Sequence, residues 1–254
     1  MGSGWIALLS GGKDSVFALY DTQQRGHNIL HAVTAQPVGD SYLFHTPATE
    51  IVSLQAESMG IDHSTFPVDK TPHGADHHST TAGDAELEPL RNAIAALLES
   101  RSESIEGLVV GAVASRFQRD RIERLCEAFD LQLQAPLWHC SPIETLEDMI
   151  AVGFDIRIVA VAAGGLDAHW LGKRFDSSLI QQLVERNETA GIHPMGEGGE
   201  YETVVLDGPN FVQALAVTAT RKWDGTRGRL EIETATLTDE AELTITGNTM
   251  SPGS

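Results

Sequence analysis

Lysine is scarce in this chain, with four among 254 residues: Lys13, Lys70, Lys173 and Lys222. Acidic residues outnumber basic ones 36 to 17, giving a net charge of −19. Such a surface repels nucleic acid unless basic side chains gather locally, so no direct nucleic-acid partner is expected. An acid-rich, lysine-poor balance is also what keeps a protein hydrated in concentrated salt, and it suggests a halophilic source. Cysteine is nearly absent. Cys126 and Cys140 form no CxxC pair and join no Cys/His set suited to zinc, so both read as ordinary thiols. No apolar run approaches the roughly 18 residues that cross a bilayer. No basic segment followed by a long hydrophobic run opens the chain, and the expectation is a cytoplasmic protein with no membrane partner. Internal repeats and low-complexity tracts are missing as well.

What is present is a regular alternation. Trp5 to Leu9 reads as an apolar strand and Ser15 to Arg25 as a helix with Val16, Leu19 and Tyr20 on one face. The pattern continues through a strand at Ile29 to Thr34, a helix from Thr46-Pro47 to Met59, a strand at Ile61 to Pro67, a helix from Asp84 to Ser100, a strand at Gly107 to Val113 and a helix opened by Ser115. This predicts an α/β domain, a doubly wound parallel sheet with helices on both faces, over residues 1–135. After Pro136 the texture changes to helices at Ser141 to Val152 and Ser177 to Ala190, a strand at Asp155 to Ala162, and β-type alternation from Thr203. Residues 136–238 are expected to form a smaller α+β domain, and the polar stretch 239–254 a frayed tail. Oligomeric state stays open, a homodimer included.

The first strand runs into "LLSGGKDSVF" at 8–17. A Walker A loop would need glycine at Ala7 and Ser or Thr at Asp14, so that reading fails. What remains is S-G-G-K-D-S at a strand-to-helix turn. Gly11 and Gly12 let the backbone turn sharply and bring N–H groups near an anion, and the helix start adds partial positive charge. Ser10 and Ser15 offer hydroxyl donors, and Lys13 a full charge for a phosphate oxygen. A plain capped βα turn is the structural alternative. A second glycine-rich stretch, "GIHPMGEGGEYETVVLDGP" at 191–209, sets Glu197, Glu200 and Glu202 within six residues. On an extended strand Glu200 and Glu202 share a face. Converged carboxylates can bind a cation, hold a metal or take protons, and Tyr201 can pack or donate on the opposite side. Solvated acids in a hairpin loop are the alternative here. His73, His77 and His78 read as a solvated loop.

These two stretches, with "DSYLFHT" at 40–46 and "GAVASRFQRDRIERLCEAFDLQLQAPLW" at 111–138, resemble the diphthine-ammonia ligases of the ATP pyrophosphatase superfamily. The resemblance runs from about residue 5 to 210, and the acidic motif is its most specific part. It implies an enzyme that cleaves ATP between the α and β phosphates, holds pyrophosphate with Ser10, Gly11, Gly12, Lys13, Asp14 and Ser15, and passes through an adenylate. It further implies diphthine-bearing translation elongation factor 2 as partner and ammonium as nitrogen source. Mg²⁺ is expected because triphosphate charge must be neutralised, with Asp14 as its candidate ligand or as a helix cap. Lys13, Asp14, Glu197, Glu200 and Glu202 are the catalytic candidates. Gly111 leaves space where a nucleotide can approach, and Ser115 caps the next helix or touches the ligand. Ser41, Tyr42 and His45 follow the second strand on a ligand-facing loop. Gln118, Arg119 and Arg121, of which either arginine can hold a phosphate or substrate acid or simply form surface ion pairs, are placed on the substrate side with Gly198, Gly199 and Tyr201. The rival readings are another ATP pyrophosphatase, such as a tRNA-modifying enzyme, and a nucleotide-binding regulator without turnover.

Overall fold

A computed structural model of the protein describes residues 3–37, 46–68, 80–111 and 116–250. The chain divides into two compact units, residues 1–10, 14–44 and 61–138 in the first, and 11–13, 45–60 and 139–254 in the second.

The first unit carries β1 (Ser3–Leu8), α1 (Lys13–Gln24, with Lys13 itself counted in the second unit), β2 (Ile29–Pro37), β3 (Asp62–Val68), α3 (Thr80–Ser100), β4 (Ser104–Val109), α4 (Arg116–Ala128) and β5 (Gln132–Gln134). The helix between β2 and β3, α2 (Thr46–Ser58), groups with the second unit. The strands form one sheet in the order β3-β2-β1-β4-β5, every neighbouring pair parallel. This is the α/β sheet the alternation predicts. β1 lies at its centre because Trp5, Ile6 and Ala7 are apolar on both faces and all buried, as a strand covered on both sides requires. Ile6, Val33, Phe66, Ile94, Leu108 and Leu125 build one core layer. A Cβ on Gly107 would lie 2.3 Å from the Trp5 ring, so glycine at that position is what admits the indole beside β4. Strand order reverses direction between β1 and β4, the crevice where open α/β sheets bind ligands at the carboxyl ends of their strands.

The second unit holds α2, α5 (Pro142–Ala151), β6 (Asp155–Val161), α6 (Ser177–Ala190), β7 (Tyr201–Asp207), β8 (Ala214–Trp223), β9 (Gly228–Thr238) and β10 (Glu242–Met250). Its mixed sheet runs β10-β8-β9-β6-β7, antiparallel except for β10 on β8. The Asp176 carboxylate accepts from Leu179 N at 2.8 Å to open α6, and Gly191 at φ 70° closes it. Ile51 of α2 packs with Val204, Leu206, Leu215 and Val217 in this unit's core.

Residues 239–254 were expected to fray, and most of that stretch is strand β10 instead. Asp239 and Glu240 occupy only a short bend, after which Leu243 and Ile245 point to one side. Ile245 Cδ1 sits 2.7 Å from where a Gly172 side chain would begin, so that glycine gives β10 its seat on the sheet edge. The three-residue β5 was too short to show a period of its own.

Candidate active site

The turn from β1 to α1 leaves the carboxyl end of the central strand, beside β4. Its two serines bind each other: Ser10 N donates to Ser15 Oγ at 3.1 Å, and the two hydroxyl oxygens lie 3.0 Å apart. They therefore brace the turn. Gly11 holds φ 81°, a left-handed conformation that glycine adopts at little cost. A Cβ there would also meet Gln55 Oε1 at 2.8 Å and Val52 Cγ2 at 2.9 Å. The Gly11 carbonyl accepts from Val205 N at 3.1 Å and from Gln55 Nε2 at 3.0 Å. Gly12 continues the turn into α1, and Asp14 stands in the first helical turn, where its charge complements the helix dipole. Gly111 does not leave a gap for a nucleotide. A Cβ on it would lie 2.5 Å from Ser15 N, so its bareness is taken up by the first turn of α1.

Lys13 is 3% exposed. Its Nζ donates to Met195 O at 2.6 Å and lies 5.4 Å from the Tyr201 ring centroid, while its backbone N donates to Thr203 Oγ1 at 3.1 Å. Lys13 is thus fastened to the acidic motif through its backbone and its side chain alike.

The motif folds back on itself before β7. Gly196 and Gly199 hold φ 72° and 78°, conformations that β-carbon-bearing residues resist. The hydroxyl of the buried Tyr201 donates to Pro194 O. Glu200 spends its carboxylate on its own loop: Oε1 accepts from His193 N at 2.9 Å and Oε2 from Gly198 N at 2.8 Å. A side chain on Gly198 would collide with that carboxylate at 2.8 Å. Glu197 is largely solvated, its Oε2 3.7 Å from His193 Nε2. Glu202 differs from both. It pairs in register with Ala160 of β6, and burial alone pushes its carboxyl up to about 7. Alternation along β7 turns it away from the face on which Tyr201 and Thr203 meet Lys13.

On α4, Arg119 Nε donates to Glu123 Oε1 at 2.6 Å and its guanidinium lies 5.1 Å from the Trp138 ring. Arg121 is buried, and Gln118 falls on the same helix. Ser41, Tyr42, His45, Ser115, His73, His77 and His78 lie outside the described residues. Among the described residues no group of three or more His, Cys, Asp or Glu side chains is placed to hold a metal ion. Cys126 and Cys140 form no disulfide with each other, and burial first, then Glu123 and Glu127, pushes the Cys126 thiol up to about 11. Sequence reasoning passed over Thr203 and Gln55. The signal for Gln55 was an amide in the apolar stripe of Ile51, Val52, Ala56 and Met59.

A glycine turn feeding a helix at the switch point of a parallel sheet is the arrangement at which α/β proteins bind anions. Two family models divide the chain between them: the diphthamide synthase N-terminal domain matches residues 4–133 and the diphthamide synthase C-terminal domain residues 141–238. The diphthine–ammonia ligase of Danio rerio is 35% identical over 231 residues, 85% of this chain and 86% of that one. The Homo sapiens protein of that name is 34% identical over 220 residues, 83% and 81% of the two chains. The chain belongs to the diphthine–ammonia ligase family, and it is an enzyme, an ATP-dependent ligase. A solved structure from Methanocaldococcus jannaschii, titled a predicted subunit of tRNA methyltransferase, superposes loosely, with TM-score 0.43 and 16% identity over 82% of this chain and 98% of that one. Strand β10 lies beyond both matched regions. No helix among the described residues is long and apolar enough to cross a membrane.

Proposed function

We propose that the chain amidates diphthine on translation elongation factor 2 with ammonium, through an acyl-adenylate. One observation carries this reading. Lys13, in the turn expected to hold pyrophosphate, is hydrogen-bonded to Thr203, the residue after Glu202. The turn that activates a carboxylate and the strand that carries Glu202 are thereby fastened together, with Glu202 on the opposite face of β7 from Lys13.

The chemistry follows from what a carboxylate lacks. Its carbonyl is electron-rich and its leaving group poor, so ammonia does not attack it. In the proposed first step the diphthine carboxylate attacks the α-phosphate of ATP, and pyrophosphate leaves against the amides of the Gly11–Gly12 turn, the start of α1 and Lys13. Lys13 Nζ then exchanges Met195 O for a phosphate oxygen. Mg²⁺ would be held by Asp14 together with the phosphate oxygens and would supply charge neutralisation. In the second step Glu202 takes a proton from ammonium, ammonia attacks the anhydride carbonyl, AMP departs with the electron pair of the broken C–O bond, and the second proton leaves the new amide nitrogen for solvent. A base poised near neutrality suits that transfer. Glu200 holds the loop in shape and Glu197 lies at its wet rim, so Glu202 is the base of the three.

Residues 1–135 are assigned to the nucleotide and 136–238 to the acceptor side chain. Thiolation by a related enzyme would call for a reactive thiolate, and the buried, raised thiol of Cys126 does not supply one. The acid-rich surface is assigned to work in concentrated salt in the cytoplasm. Thermal unfolding in dilute and in molar KCl checks this, with higher stability expected in molar salt. The function itself is tested by incubating the chain with diphthine-bearing elongation factor 2, ATP and ammonium. Mass spectrometry should show the factor converted from acid to amide; an unchanged mass with folded enzyme would refute the proposal.

A further inference from the structure

Gln55 is fully buried in the second unit, on the face of α2 that packs against β7 and the Gly11 turn. Its amide nitrogen donates to Gly11 O at 3.0 Å and to Val205 O at 2.7 Å. Both neighbours are acceptors, so the NH₂ group, which has two hydrogens to give, must face them and the oxygen must face away. That oxygen is buried with no hydrogen-bond partner among the described residues. Leaving a buried acceptor unpaired is destabilising, and an apolar side chain of similar length would avoid it. The fold keeps the amide all the same, and the two carbonyls it holds belong to the Gly11–Gly12 peptide itself and to the edge strand that carries Glu202.

The consequence lies in peptide geometry. Gly11 O takes hydrogen bonds from Val205 N and from Gln55 Nε2, which fixes its direction. In a planar trans peptide the next N–H points the opposite way. With φ 81°, Gly11 belongs to the residue type whose adjoining peptides rotate most freely, so this orientation needs an external anchor. We infer that Gln55 is a positioning residue: by clamping the Gly11 and Val205 carbonyls it aims the Gly12 amide away from β7 and fixes the turn for a pyrophosphate group. This rests on the reading of that turn as the pyrophosphate loop.

The test compares Gln55→Met with Ser58→Ala. Ser58 lies on the same helix, is buried, donates to Gln213 O and accepts from Gln213 N at 3.0 Å, so its removal also costs two helix-to-loop bonds without touching the turn. Calorimetric titration with ATP and with magnesium pyrophosphate should show both ligands weakened by about tenfold or more in Gln55→Met, as the loss of oriented hydrogen bonds to a charged ligand implies. The KM for ATP should rise with it while that for ammonium stays put. Ser58→Ala should melt at a lower temperature yet keep its affinity. Should Gln55→Met not fold, Gln55→Asn, which keeps an amide one methylene too short, carries the same comparison. Unchanged affinity in the Gln55 variants, or an equal loss in Ser58→Ala, overturns the inference alone. Failure of the unmodified protein to bind either ligand overturns the pyrophosphate-loop reading itself.

Discussion

The two glycine-rich turns are alike in sequence and opposite in use. In Ser10–Ser15 the missing side chains admit the protein: Gln55 and Val52 fill the space beside Gly11, and the serines bond to one another. In Gly196–Glu202 the missing side chains admit a carboxylate, since Gly198 makes room for Glu200, whose two oxygens close the loop. The first turn is braced so that its backbone can act. The second is braced by one of its acids, while another, Glu202, is buried with no cationic partner among the described residues and is raised to about 7. Within the acidic motif Glu200 thus holds the shape, and the proposed reaction assigns the chemistry to Glu202.

The largest effect expected from this contrast is on the second turn. Glu202→Gln should leave ATP affinity intact and lower the amidation rate by about 10²–10⁴-fold, the usual worth of a positioned base. Equal loss in Glu197→Gln would erase the distinction between the carboxylates. Next, Gly11→Ala, strained by its positive φ and pressed on Gln55, should cost about 2–3 kcal/mol in stability and weaken ATP binding, measured by thermal unfolding and calorimetry.

Titration sharpens the contrast further. Glu202 is raised from 4.5 to about 7, so the folded protein holds its proton more tightly than the unfolded chain. Its contribution is fully present below pH 4.5 and is lost as pH rises through 7. His31, in the first unit, is the reverse: burial, then the Arg101 guanidinium, lowers it from 6.5 to about 4. Arg101 donates to its Nδ1 at 2.7 Å and its Nε2 lies 2.8 Å from Ser64 Oγ, an arrangement suited to the neutral ring. Its contribution is present above pH 6.5 and is lost as pH falls through 4. Between pH 4.5 and 6.5, Glu202→Gln should therefore make stability climb more steeply with pH, and His31→Gln less steeply, each by up to about 2 kcal/mol across the window. Parallel profiles in chemical denaturation would show that neither group is perturbed. The smallest effect is expected for Glu200→Gln: loosening of the loop by about 1 kcal/mol, with one amide oxygen still accepting.

The parallel sheet was legible because its central strand is apolar on both faces and its helices carry a 3.6-residue stripe; in the second unit α6 (Ser177–Ala190) matches its expected bounds. β10 was not legible, since an edge strand with one apolar face looks like a polar tail until Gly172 is seen to receive Ile245. The residue types of the turns were legible from spacing. Their division of labour was not, because the partners are remote: Lys13 meets Met195 across 182 positions and Gln55 meets Val205 across 150. Local pattern cannot encode a hydrogen bond of that reach.

The central claim is that AMP, not phosphate, is transferred to the acceptor acid. Quantifying nucleotide products while diphthine-bearing elongation factor 2 is amidated tests it directly. The account predicts AMP and pyrophosphate in equal amounts with the new amide; ADP and inorganic phosphate in their place would contradict it.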